Sequence, residues 1–134
     1  MLWMVLFIAW IITLWFLSSH AIPVTEEAPK IIHIDKVAHF GYFFGGGYIL
    51  ATWSQLKFDD QTSVFTRYLF PIIFLSIYGA IDEYHQTFTP GRSGNDLYDW
   101  IADFLGASFG TLLANYFHWI LLKFSSPFAP EPEV

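Results

Sequence analysis

The sequence predicts an all-α membrane protein, a polytopic bundle of four transmembrane helices, and three observations lead there. Hydrophobic residues make up 54% of the 134 positions and charged residues only 13%, too little polar surface to coat a soluble globule of that size. Four long apolar stretches divide the chain, separated by short polar segments rich in Pro, Gly, Asp and Lys. Aromatics reach 21%, and Trp3, Trp53 and Trp100 fall near the ends of the apolar stretches, where amphipathic rings favour the headgroup region.

The first stretch, Met1 to Leu17, has Thr13 as its only clearly polar side chain, and no formal charge precedes Glu26. It reads as a retained spanning anchor rather than a cleaved leader, because a positively charged segment before the apolar run is missing. Residues 18 to 35, with Pro23 and Pro29, form the polar connection to the second stretch. That stretch, Val37 to Gln55, lacks permanently charged residues and contains Gly45, Gly46 and Gly47, small residues that allow close helix contact in lipid. Lys57, Asp59, Asp60 and Arg67 mark the next connection.

Only fourteen uncharged residues lie between Arg67 and Asp82. A hydrocarbon core about 30 Å thick needs roughly twenty residues, so the third helix must run on past Asp82 and Glu83. Pro71 sits near its start, where a missing backbone donor costs least. Pro90, Gly91 and Gly94 predict a tight turn, and Asp96 caps the fourth helix. That helix opens with Asp99 and Asp103, is uncharged from Phe104 to Leu122, and carries Gly106 and Gly110 on one face. Residues 1 to 124 form the helical domain; the acidic tail 125 to 134, with Pro127, Pro130 and Pro132, has no means of burying a core and is expected to be disordered.

Antiparallel helices with short connections bring the start of the second helix, the end of the third and the start of the fourth to one membrane side. That side collects Asp35, Lys36, His39, Asp82, Glu83 and Gln86 from the second and third helices. It also collects His85, Arg92, Asp96, Asp99 and Asp103. Spacing places Asp35 with His39, Gly79 with Glu83 and Gln86, and Asp96 with Asp99, Asp103, Gly106 and Gly110 on shared faces that point into the bundle. Six carboxylates there face only Lys36 and Arg92, so some must be protonated, paired with imidazolium or neutralised by a cation. A structural network clamping the helices is the alternative to a functional site.

The order and placement of these motifs resemble the VanZ-like family of small bacterial integral membrane proteins, whose founding member is linked to teicoplanin resistance. The residues that carry the resemblance begin with Ser18, Ser19 and Pro23 and continue with Asp35, Lys36, His39 and Phe40. Asp82, Glu83 and Gln86 follow, then Pro90, Gly91 and Arg92, and finally Asp99, Asp103 and Gly106. One departure is Asp103, where family members often carry Asn. The resemblance implies a multi-pass protein of the bacterial inner (cytoplasmic) membrane with the motif face outward. Charge alone divides evenly between the two sides and sets no orientation.

The lack of Cys removes disulfides, zinc-thiolate sites and thiol nucleophiles, and the net charge of −6 without a basic run excludes nucleic acid as a partner. In a catalytic reading His39 is a general acid or base oriented by Asp35, and Glu83 is a second proton carrier. Arg92 holds an anionic group such as the phosphate of a lipid-linked or cell-wall molecule, with Gln86 and Lys36 beside it. Asp99 and Asp103 either orient Arg92 or, with Glu83 and His39, ligate a divalent cation; the metal stays open, and no cofactor is assigned. In a binding reading the same pocket holds an amphipathic envelope ligand, a glycopeptide antibiotic or a lipid headgroup, without changing it. A transporter ranks last, because an inverted repeat would need an oligomer of this short chain. His85 is expected to be a solvated interfacial side chain, and His20, His33 and His118 carry no assigned role.

Overall fold

A computed structural model describes residues 2–20, 33–58 and 63–125, without the side chains of 121–125. Four helices account for most of these residues: α1 (Leu2–Ser18), α2 (Ile34–Phe58), α3 (Phe70–Gln86) and α4 (Leu97–Ser125). A π-type turn, Phe65–Leu69, leads directly into α3, so the helical path is continuous from the polar connection to the site. Pro71 stands in the first turn of α3, where its missing N–H breaks no hydrogen bond within the regular helix. The third helix does continue through Asp82 and Glu83, as the shortness of its uncharged stretch requires. The connection after α1 and the acidic tail lie mostly outside the described residues.

The central contact of the bundle is between α2 and α4, and it is made by small residues. A Cβ on Gly106 would run into the carbonyl of Phe40, one on Gly110 into that of Phe44, and one on Gly47 into that of Ala107. The two backbones therefore approach until main chain touches main chain, which only glycine permits at these places. Gly46 serves α1 in the same way, since the Trp10 indole lies where its Cβ would be. The Trp10 Nε1–H donates to the Tyr42 carbonyl at 3.0 Å, and the Tyr42 hydroxyl returns a bond to the Trp10 carbonyl at 3.1 Å. Phe7, Trp10, Leu14, Phe43, Leu50, Leu75 and Ala107 form the apolar centre around that lock.

The polarity of the bundle is inverted relative to a soluble one. Ser54, Gln55, Asp82, Glu83, Asp103, Thr111 and Asn115 are buried, while Val5, Ile8, Ile12, Ile73, Ile77, Ile81, Phe109 and Leu112 are exposed. By length and composition one segment among the described residues, Phe65–Gln86, is long and apolar enough to cross a membrane, and Leu2–Ser18 is apolar but shorter. α2 has 25 residues and α4 has 29. Both fall short in mean hydropathy, because each mixes Gly, Thr, Tyr, Trp and His among its apolar residues, besides the acids near its start.

The ends of the helices are fastened in two groups. At one end the Thr89 hydroxyl donates to the Ser18 carbonyl at 3.2 Å, and Asp96 accepts from the Tyr98 N–H at 2.8 Å to cap α4. At the other, Asn115 donates to the Arg67 carbonyl at 3.0 Å and Ser54 to the Thr66 carbonyl at 3.2 Å. This is the up-down-up-down arrangement that short connections dictate.

Candidate functional site

The polar residues at the Ser18 end divide into two clusters that the sequence presents as one. Lys36 organises the outer cluster: its Nζ lies 2.8 Å from Asp35, 2.9 Å from Asp96 and 2.8 Å from Asp99. Asp96, outside the helices, is held below the ordinary carboxyl range chiefly by its hydrogen bond to that ammonium. One cation thus satisfies three of the six carboxylates.

The inner cluster holds the other three around His39. The imidazole Nδ1 lies 2.9 Å from Asp103 Oδ1, and Nε2 lies 3.9 Å from Glu83 Oε1. Asp103 is fully buried, and Gly79 makes room for it: a Cβ there would come within 2.8 Å of Oδ2. Glu83 is fixed through its other oxygen, which accepts the Asp96 N–H at 2.8 Å, while its own carbonyl accepts the Asn95 N–H at 3.1 Å. Asn95 takes the left-handed conformation at this bend, φ 69°, which Asn tolerates better than most residues. The acid that ends α3 therefore also pins the start of α4.

A relay joins the inner cluster to the turn. Gln86 donates its amide to Asp82 Oδ2 at 2.8 Å and accepts the Arg92 Nε–H at 3.1 Å. Arg92 is reached by a turn in which Gly91 has φ 82°, a left-handed conformation that glycine adopts without strain. Gly94 is packed so tightly on the Thr87 and Gln86 backbone that a side chain would displace the turn.

Three sequence assignments change. Asp103, not Asp35, orients His39, because Asp35 lies a helical turn away, is exposed, and bonds Lys36. Asp99 engages Lys36 rather than Arg92, whose bond goes to Gln86. His85, expected to be merely solvated, is half-buried and has partners: its Nδ1 is 3.1 Å from the Ser18 hydroxyl and its ring stacks on Trp15 at 3.9 Å. Asp82, four residues before Gln86 and so on the same helix face, gains a place in the site through that amide, and the i, i+4 spacing is the sequence signal for it.

A cavity of about 530 Å³ opens beside both clusters. Leu14, Leu17, Ile34, Ala38, Tyr42 and Phe43 give it an apolar wall, and His39, Asp82, Gln86, Arg92 and Asp99 give it a polar one. Glu83 lies behind His39, lining a separate depression with Asn95 and Trp100. Three carboxylates around a single imidazole leave the inner cluster negative even with the imidazole protonated. A bound proton or cation must offset that charge. Such a wall can exchange protons with a polar group placed in the cavity.

Comparison with known proteins places residues 2–121 under the family model described as VanZ/LLP1. No curated protein and no solved structure matches the chain.

Proposed function

The chain belongs to the VanZ/LLP1 family, and from that premise we propose that it is a multi-pass enzyme of the bacterial inner membrane, acting on a lipid-linked or cell-envelope phosphate or glycan by general acid and base chemistry. The observation that carries this reading is His39, held by buried Asp103 on one ring nitrogen and facing Glu83 across 3.9 Å on the other, in the wall of a half-apolar cavity. The exposed apolar side chains around the buried polar core support four spans. The motif face is taken to be outward.

An amphipathic molecule suits both walls, its chain along Leu14, Leu17 and Ile34 and its headgroup toward His39 and Arg92. With Nδ1–H donated to Asp103, Nε2 is free to take a proton from an attacking water or hydroxyl. The imidazolium so formed, faced by Glu83 from behind at 3.9 Å, can return that proton to the departing oxygen, with Glu83 carrying protons to and from His39. Arg92 holds the anionic group, steadied at Nε by Gln86.

The apolar wall favours a second reading, a non-catalytic module holding a glycopeptide antibiotic or a lipid headgroup. The envelope lipid and cell-wall precursor profile of a deletion strain separates the two. Complementation with the wild-type chain should restore the profile; His39→Ala and Glu83→Gln should leave a precursor accumulated. Restoration by both folded variants would rule out the reaction.

A further inference from the structure

Two sets of side chains each bring three ligand atoms within 4.8 Å of one another: Asp35 with Asp96 and Asp99, and His39 with Asp82 and Glu83. They differ in what stands among them. In the first set the Lys36 ammonium lies 2.8–2.9 Å from every carboxylate, so a cation is already in place. In the second, no Lys or Arg pairs with the acids among the described residues, and the buried oxygens Asp82 Oδ1 and Glu83 Oε1 find no hydrogen-bond partner. Those two residues are 2% and 3% exposed. In the outer set Asp35 is exposed and Asp96 half-buried.

The imidazole geometry points the same way. His39 is bonded to Asp103 through Nδ1, and its other nitrogen, Nε2, stands across from Glu83 Oε1. At 3.9 Å the two atoms are too far apart for a hydrogen bond. Two ligands about 2 Å from one metal ion stand roughly 3–4 Å apart. A carboxylate on the far nitrogen of a ligating histidine is also the usual device that sets its tautomer and aim.

We propose that His39 Nε2, Asp82 Oδ1 and Glu83 Oε1 bind one divalent cation of the zinc, manganese or iron class, with Asp103 aligning the imidazole and the open coordination positions facing the cavity. One imidazole and two carboxylates suit these ions better than calcium or magnesium, which prefer oxygen ligands alone. The inference rests on the cavity being a reaction site, and it moves the proton-carrying role from the imidazole to a water on the cation, whose pKa such an ion lowers. Asp82 then has a function, and the negative charge of the inner cluster is offset.

The test is metal analysis of the detergent-purified chain, stripped with chelator, reloaded with Zn²⁺ or Mn²⁺ and freed of excess ion. One equivalent per chain is expected in the wild type and in Asp35→Asn, with at least a tenfold loss of affinity in Asp82→Asn and in Glu83→Gln. Asp103→Asn should weaken binding about 10–100-fold. Pulsed EPR of the Mn²⁺-loaded wild type, which needs no variant to fold, should show coupling to a single imidazole nitrogen. Failure of the folded wild type to retain any of these ions, equal retention by the Asp82 and Glu83 variants, or absence of the nitrogen coupling would each overturn the site. Turnover of the envelope substrate by metal-free protein would remove the cation but keep the acid and base reading. A bound cation with an unchanged precursor profile in the His39→Ala strain would do the reverse.

Discussion

Arg92 and Lys36 both carry a positive charge near the same acids, yet the chain uses them differently. Lys36 is a point charge encircled by three carboxylates. Arg92 makes one directional bond, to Gln86, and stands in the cavity wall. Arg92→Lys should therefore leave detergent stability close to wild type and lower envelope activity more than tenfold, because an ammonium lacks the planar fork that grips a phosphate. Loss of folding, or full activity, would each contradict this. Lys36 predicts a pH effect instead. Its bond holds the Asp96 carboxyl below the ordinary value of 3.8, so the contact is complete above that value and is lost as the pH falls through the lower, folded-state one. Thermal melting should separate wild type from Lys36→Gln at neutral pH, and the gap should close in acid below about pH 4.

Among the helices, α2 and α4 carry the most exacting contact, since three glycines set their separation. Gly106→Leu adds apolar surface, which lipid would accept on an outer face, but it would drive a side chain into the Phe40 carbonyl. The expected cost is about 1–3 kcal/mol, read as a lower unfolding midpoint in detergent. An unchanged midpoint would mean that Gly106 does not face α2. The same separation positions the site, because His39 is on α2 and Asp103 on α4. The variant should disturb that pair before it unfolds the bundle.

Taken whole, the bundle places the 91–93 turn and the start of α2 at one end and the residues before α3 at the other. Cysteines at Ser93 and His33 should thus label with an impermeant reagent from one side of the membrane, and a cysteine at Ser63 from the opposite side. Labelling of Ser93→Cys and His33→Cys from opposite sides would dismantle the proposed four-span arrangement.

The helices were legible in the amino-acid order because apolar run length, Pro and Gly placement and acidic helix starts are local properties, set by what each segment can bury. Gathering of the polar residues at one end was legible too, since short connections leave antiparallel helices little choice. The partners within that gathering were not. Asp35 and His39 share a helix face, and local spacing offered no reason to prefer Asp103, sixty-four positions away. That choice depends on how far α4 slides along α2, and the slide is stopped by glycine contacts between backbones: the spacing of Gly106 and Gly110 shows a packing face, but not which carbonyl of α2 each one meets. The same fit sends Lys36 to Asp99, frees Arg92 for Gln86, and leaves buried oxygens of Asp82 and Glu83 without a hydrogen-bond partner beside His39.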